Sequence, residues 1–232
     1  DRNGRTNNGS VHVLLGGPDV GRFGSVSLDD NGQRFRHVVL EGIGNGNLTG
    51  SRGSVSSAGD FNGDGFDDII IGSDSASPSS SIRRGGESYI IYGSADFGGR
   101  SRNQNIPTLE FDLRNLNGPN GLITLGVQSS GFAGEVSNLG DFDGDGIDDV
   151  LIGALRVDQG NGNTSNGAGY VVYGDANETS GRRGNGRLPL DVDLVNSIQV
   201  TGENGDQLGS AVSSAGDVNG DGFDDALIST PG

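Results

Sequence analysis

The chain has 232 residues, of which 45 are glycine and 31% are hydrophobic, and its formal net charge is −16. This glycine content excludes a mainly helical protein, because each glycine weakens a helix by roughly 0.5–1 kcal/mol relative to alanine. The negative charge argues against nucleic acid or an anionic membrane surface as a partner. Short strands joined by glycine-rich turns fit the composition best, so we predict an all-β fold.

Three absences from the sequence narrow the class of protein further. Cysteine is absent, so there is no disulfide framework. No apolar run approaches the roughly 18–20 residues that a membrane span needs, so membrane insertion is not predicted. The chain starts without an initiator methionine or a signal peptide, which indicates processing or excision from a longer protein.

One acidic segment of nineteen residues occurs three times. The copies are GSVSSAGDFNGDGFDDIII from Gly53, GEVSNLGDFDGDGIDDVLI from Gly134 and SAVSSAGDVNGDGFDDALI from Ser210. Each copy predicts a strand, an acidic loop and a second strand. The loops share the pattern D-x-[DN]-x-D-G-x-x-D, whose residues are numbered here as positions 1 to 9.

The spacing of oxygen side chains in these loops predicts three calcium sites. Hard cations such as Ca²⁺ take about six to eight oxygen ligands, and clustered carboxylates repel one another when no cation is bound. The predicted ligands are Asp60, Asn62, Asp64 and Asp68 in the first loop, Asp141, Asp143, Asp145 and Asp149 in the second, and Asp217, Asn219, Asp221 and Asp225 in the third. The backbone carbonyls at position 7 add Phe66, Ile147 and Phe223.

The remaining loop positions support this assignment. Glycine at position 6 allows the sharp turn that brings the acids together. An EF-hand needs a glutamate at position 12 and flanking helices, whereas position 12 here is isoleucine in a β-type run. The acids at position 8 are predicted to face solvent or to brace the loop and are not assigned as ligands; they are Asp67, Asp148 and Asp224.

The segments between the loops repeat as well. A third strand ending in Tyr-Gly is predicted at Glu87–Gly93 and Ala168–Gly174, and a fourth at Leu122–Val127 and Ser197–Gly202. A polar stretch between the third and fourth strands is predicted to be an exposed loop. Four strands per repeat, about 77 residues long, are typical of a β-propeller blade.

The phase of the repeat predicts half-blades at both ends. Ser10–Gly17 and His37–Gly42 match a third and a fourth strand. The predicted units are therefore a half-blade at 1–44, blades at 45–127 and 128–202, and a half-blade of strands one and two at 203–232. Two chains could exchange half-blades and close a six-bladed ring, or the chain could be part of a longer propeller; the sequence leaves both open.

These features resemble the FG-GAP repeat, the calcium-binding blade of integrin α-subunit propellers and of many bacterial extracellular proteins. The resemblance covers nearly the whole chain and leaves the metal pattern intact. The Phe-Gly position departs from the family in all three copies, at Ser51-Arg52, Phe132-Ala133 and Leu208-Gly209. In the family the loops join the first two strands of a blade, which calcium stiffens, and the setting is extracellular or at the cell surface.

No catalytic site is predicted, because both histidines, His12 and His37, fall in predicted strands, and there is no cysteine nucleophile or G-x-S-x-G motif. The favoured function is a non-enzymatic module for adhesion, protein–protein interaction or self-assembly. The alternative is a lectin-like carbohydrate binder, although no tryptophan is present to stack on a sugar. Sequons at Asn47, Asn163 and Asn177 would make the chain a glycoprotein in a host that glycosylates them.

Overall fold

The structure is a computed structural model that describes residues 9–17, 37–44, 49–50, 54–97, 109–131, 133–158, 165–176, 186–190 and 197–231. The asparagines of the three sequons lie outside these residues, as do Ser51-Arg52 and Phe132. In this part of the chain no helix is long and apolar enough to cross a membrane.

The described residues form β-strands and one short 3-10 helix at Leu113–Asn115. The strands are β1 (Ser10–Leu14), β2 (His37–Glu41), β3 (Val55–Gly59), β4 (Asp68–Ser73), β5 (Glu87–Ile91), β6 (Leu109–Asp112), β7 (Gly121–Gly126), β8 (Ala133–Gly140), β9 (Asp149–Ala154), β10 (Ala168–Val172), β11 (Arg187–Leu190), β12 (Ser197–Thr201), β13 (Val212–Gly216) and β14 (Asp225–Ile228). The predicted all-β fold class is confirmed.

Two antiparallel sheets form the centre of the described structure. The first sheet pairs β3, β4, β5 and β7 in that order, and the second sheet pairs β8, β9, β10 and β12. Each begins with the hairpin that carries an acidic loop. Two shorter sheets flank them: β1 pairs with β2, and β13 pairs with β14.

The segment between the third and fourth strands differs from the predicted exposed loop. In the first repeat β6 leaves its own sheet and pairs in parallel with β2, and in the second repeat β11 pairs in parallel with β7. Each added strand covers the outer edge of the preceding sheet. Leu188 and Leu190 of β11 are buried, so this segment contributes apolar contacts to the core. The polar residues on either side of it in the sequence had favoured an exposed loop.

The core lies between neighbouring sheets. Because side chains alternate along a strand, Ile70 of β4 packs in a cluster with Val136 and Ile152 of the second sheet. Ile71 faces the other way, in a cluster with Val38 and Leu40 of β2. The second sheet in turn packs on the last hairpin, because Leu151 lies against Ala226 and Ile228. The hairpins are thereby held in a row, with their loops at corresponding positions.

Candidate metal sites

Each acidic loop is closed by its own first aspartate. In the first loop both carboxylate oxygens of Asp60 accept hydrogen bonds, from the backbone N–H groups of Asp64 and Gly65 at 2.9 Å each. Asp141 accepts N–H groups of its loop at 2.8 and 3.0 Å, and Asp217 does so at 2.7 and 2.9 Å. These bonds fix the position 1 carboxylate toward the loop interior.

Glycine at position 6 is required by the backbone. The φ angles of Gly65, Gly146 and Gly222 are 88°, 89° and 95°, in the left-handed region that side chains disfavour. The turn at position 6 therefore follows from the sequence, and it lets the chain fold back on the position 1 carboxylate.

The side chains at positions 3 and 5 also point their oxygens toward backbone N–H groups of the same loop. The carboxylates of Asp64, Asp145 and Asp221 accept the N–H of position 7, at 2.9, 2.9 and 3.1 Å. The amide oxygen of Asn62 accepts the N–H of Asp64 at 3.0 Å, and Asn219 makes the matching bond at 2.8 Å. The predicted side-chain ligands of each loop therefore lie around one turn of backbone.

The position 9 aspartates are buried where β4 and β9 begin. Asp68 accepts the N–H of Gly93 at 2.7 Å, and Asp149 accepts that of Gly174 at 2.8 Å. The second oxygen of Asp68, Oδ2, is buried without a hydrogen-bond partner in the described structure. Burial raises the pKa of both carboxyl groups to about 7. A buried carboxylate with an unsatisfied oxygen is the environment that a cation would relieve.

The second loop brings three carboxylates to one point. Oxygens of Asp141, Asp143 and Asp149 lie within 4.8 Å of one another. The pKa of Asp143 is raised, mainly because the carboxyl group is partly buried and secondly because the charge of Asp145 lies nearby. The donors are all oxygen, which suits a hard cation. This acidic cluster fits a metal ion, although Asp145 is not part of the converging group.

The third loop has the same internal bonds but lies on the surface. Four backbone N–H groups of the loop, led by that of Gly222, lower the pKa of Asp217. Asp225 accepts the N–H of Val218 at 2.9 Å and is only partly buried, whereas Asp68 and Asp149 are each 1% exposed. The difference arises because β14 has no third strand beside it in the described structure.

The position 8 acids have a role that the sequence did not predict. Asp148 accepts the backbone N–H of Asp60 at 2.8 Å, and Asp224 accepts that of Asp141 at 3.0 Å. Each therefore braces the loop of the preceding repeat rather than its own. A signal was present, because a glycine precedes position 1 in all three loops: a Cβ atom at Gly59 would lie 2.1 Å from the Asp148 carboxylate.

The raised pKa values predict how pH affects the metal-free chain. Asp68 and Asp149 bind protons more tightly in the folded state than at the ordinary value of 3.8. Their contribution to the free energy of unfolding is therefore greatest below about pH 4 and is lost as the pH rises to about 7. In chelator, Asp149→Asn should lose less stability than the wild type between about pH 5 and about pH 7.5, as measured by thermal unfolding. An identical pH dependence in the two proteins would contradict this.

Comparison with known proteins agrees with the repeat pattern. The FG-GAP repeat model matches residues 52–91 and 132–172. Phosphatidylinositol-glycan-specific phospholipase D is 33% identical over 180 residues in Rattus norvegicus and 34% over 179 in Mus musculus, covering 77% of this chain and 18% of each relative. Integrin alpha pat-2 of Caenorhabditis elegans is 31% identical over 150 residues, which are 64% of this chain and 10% of the relative. The chain thus spans less than a fifth of these relatives, and it carries FG-GAP repeats of the integrin-like family.

Proposed function

We propose that the chain is a non-enzymatic, extracellular β-propeller module, stabilised by calcium, that acts in adhesion, protein–protein interaction or self-assembly. The observation that carries this proposal is the convergence of three carboxylates in the second loop, in a hairpin whose pattern occurs three times. The integrin-like repeats support the extracellular or cell-surface setting and a protein partner.

Calcium would be held by the four side chains and the position 7 carbonyl of each loop, as assigned from the sequence. It would neutralise carboxylates that otherwise repel one another. Asp68 illustrates the fit, because its Oδ2 atom is buried and unpartnered while its Oδ1 atom is held by Gly93. The ion would link Asp68, at the start of β4, to the loop between β3 and β4. Its role would therefore be to stiffen the hairpin and not to take part in a reaction.

We propose the same units as the sequence predicts: blades at 45–127 and 128–202, and half-blades at 1–44 and 203–232. The order of the antiparallel strands in the first and second sheets supports the two blades. The unpaired outer edges of β1 and β14 in the described structure support the half-blades, which would be completed by another half-blade.

Three of the four tyrosines give the carbohydrate-binding alternative no support. Stacking on a sugar requires an exposed aromatic face. Tyr89, Tyr92 and Tyr170 are 0%, 7% and 2% exposed, so these rings serve packing. Saturable binding of a defined sugar on a glycan array would reverse this ranking.

Titration with calcium tests the proposal directly. Isothermal titration of the chelator-treated chain near neutral pH should give a stoichiometry of about three calcium ions per chain. Asp145→Ala should remove one site, because Asp145 is a predicted ligand of the second loop, its charge raises the pKa of Asp143, and its carboxylate holds the N–H of Ile147. Absence of calcium binding in the wild type would overturn the calcium-stabilised module.

A further inference from the structure

We propose that a cleft beside β1 and the first acidic loop binds the β13–β14 hairpin of a second copy of this chain. The inference deepens the self-assembly part of the proposed function and rests on it. Two hairpin-to-hairpin interfaces of the proposed kind already exist within the chain.

Those two interfaces use the same contacts. At the first, Asp148 accepts the N–H of Asp60, the side chain of Ile147 lies against Gly63, and Asp175 donates its N–H to the carbonyl of Phe61 at 3.1 Å. At the second, Asp224 accepts the N–H of Asp141, and the ring of Phe223 lies against Gly144. Position 8 thus bonds to position 1 of the preceding loop, and position 7 packs on its position 4 glycine.

In the described structure the third hairpin leaves uncovered the half of this interface that carries the position 1 N–H and the position 4 glycine. A Cβ atom at Gly216 or Gly220 would meet no atom within 4 Å, whereas those at Gly59 and Gly140 would collide with an aspartate. Leu227 is 57% exposed, although the equivalent Ile70 and Leu151 are fully buried. Val218 is 72% exposed, although the equivalent Phe61 is fully buried. An apolar face of this kind is covered wherever the repeat recurs.

The first loop presents the other half, which carries the position 8 carboxylate that accepts the hydrogen bond. Asp67 is the position 8 acid equivalent to Asp148, and it is exposed in the described structure. Phe66 at position 7 is 43% exposed. Beside them lies a cleft of about 330 Å³ with a mainly apolar lining that includes Val13, Leu15, Ile69 and Phe97. The cleft is where the row of hairpins would continue beyond the first.

The strand edges are complementary as well. In both complete sheets the second strand pairs antiparallel with the third, with Ile70 opposite Ile90 and Leu151 opposite Val171. β1 occupies the third-strand position, since it pairs with β2 in the register that β5 makes with β7. The same register places Leu227 of one copy opposite Val13 of the other. Main-chain pairing of two open edges is a common way for chains to associate.

Gly16, just after β1, lies at the same proposed contact. Its equivalents Gly93 and Gly174 donate their N–H groups to the position 9 aspartates, and a Cβ atom there would meet a backbone oxygen at 2.3 and 2.5 Å. A Cβ atom at Gly16 would meet no atom of the described residues within 4 Å. In the docked pair the Gly16 N–H would donate to Asp225 of the second copy, which completes the surroundings of the third loop.

One position departs from the pattern. Ser229 replaces the glycine found at Gly72 and Gly153, where a Cβ atom would meet a backbone oxygen of the next repeat at 1.7 and 2.2 Å. The end of the hairpin remote from the loop must therefore stand off from the cleft. The docking relies on the loop end, where Asp67, Phe66 and Leu227 lie.

The mass of the chain in solution tests this proposal. Sedimentation over a wide range of concentrations should show self-association to at least a dimer. Asp67→Ala and Leu227→Asp should each weaken it by roughly tenfold or more, because one removes a charge-assisted hydrogen bond and the other buries a charge. Glu203→Ala, which removes one exposed carboxylate elsewhere, should leave the mass unchanged.

A mixture separates loss of docking from loss of folding. Asp67→Ala keeps an intact hairpin and Leu227→Asp keeps an intact cleft, so the two variants mixed should associate more strongly than either alone. A monomeric wild type, or a mixture no stronger than its components, overturns the docking. Calcium titration of the same samples reports the proposed function separately, since a monomer that still binds calcium refutes only the docking.

Discussion

Removing calcium with a chelator is expected to lower the unfolding midpoint by about 5 to 11 °C for each site that is emptied. A ligand that binds only the folded state contributes about 2.7 kcal/mol when its free concentration is a hundred times Kd. For a chain of this size each kcal/mol corresponds to roughly 2–4 °C. Differential scanning calorimetry with calcium and with chelator measures the shift.

Replacing a single aspartate should reproduce part of the effect of removing calcium. Asp64→Ala removes the carboxylate that holds the N–H of Phe66 and faces the first loop, so the variant should gain less from calcium than the wild type. Glu203→Ala serves as the matched loss of one exposed carboxylate and should gain as much as the wild type. An unfolding transition that is the same with calcium and with chelator would refute the linkage between calcium and folding.

Phe61→Ala is expected to destabilise the chain by about 3–5 kcal/mol, the usual cost of emptying a buried aromatic site. Phe61 occupies position 2 of the first loop, is fully buried, and belongs to the cluster shared by the first and second sheets. Its carbonyl also accepts the N–H of Asp175 across that interface. The loss would therefore weaken the contact between two repeats, and urea unfolding would measure it.

The equivalent residue of the third loop supplies the control. Val218 also occupies position 2 but is 72% exposed, so Val218→Ala should change the free energy of unfolding by no more than about 0.5 kcal/mol. Both measurements belong at a protein concentration low enough to keep the chain monomeric. Equal effects of the two substitutions would show that the interface between the first two sheets contributes little to stability.

Much of the fold could be predicted because it is local. The runs that follow the acidic loops are short and continuously apolar, and they form β4, β9 and β14. The third strands ending in Tyr-Gly form β5 and β10. The loop geometry was equally predictable, since Asp60 and Gly65 are five residues apart and bond within one turn.

The parallel strands β6 and β11 could not be predicted from the same kind of pattern. Each pairs with a strand of another sheet, and β11 lies more than sixty residues along the chain from its partner β7. Periodicity reports which face of a segment is apolar but not which distant edge it will meet. The two short strands also lie within polar, glycine-rich sequence, which is typical of loops.

The sequence by itself determined the all-β class, the three loops and the oxygen donors that face each loop, because these depend on residues within about nine positions of one another. Only the tertiary structure decided which contacts form between repeats and which residues those contacts bury. It placed Asp148 on the loop of the preceding repeat and buried Asp68 and Asp149 beneath a third strand. It also left the equivalent contacts of the third hairpin uncovered, because an identical motif is buried or exposed according to which neighbour packs against it.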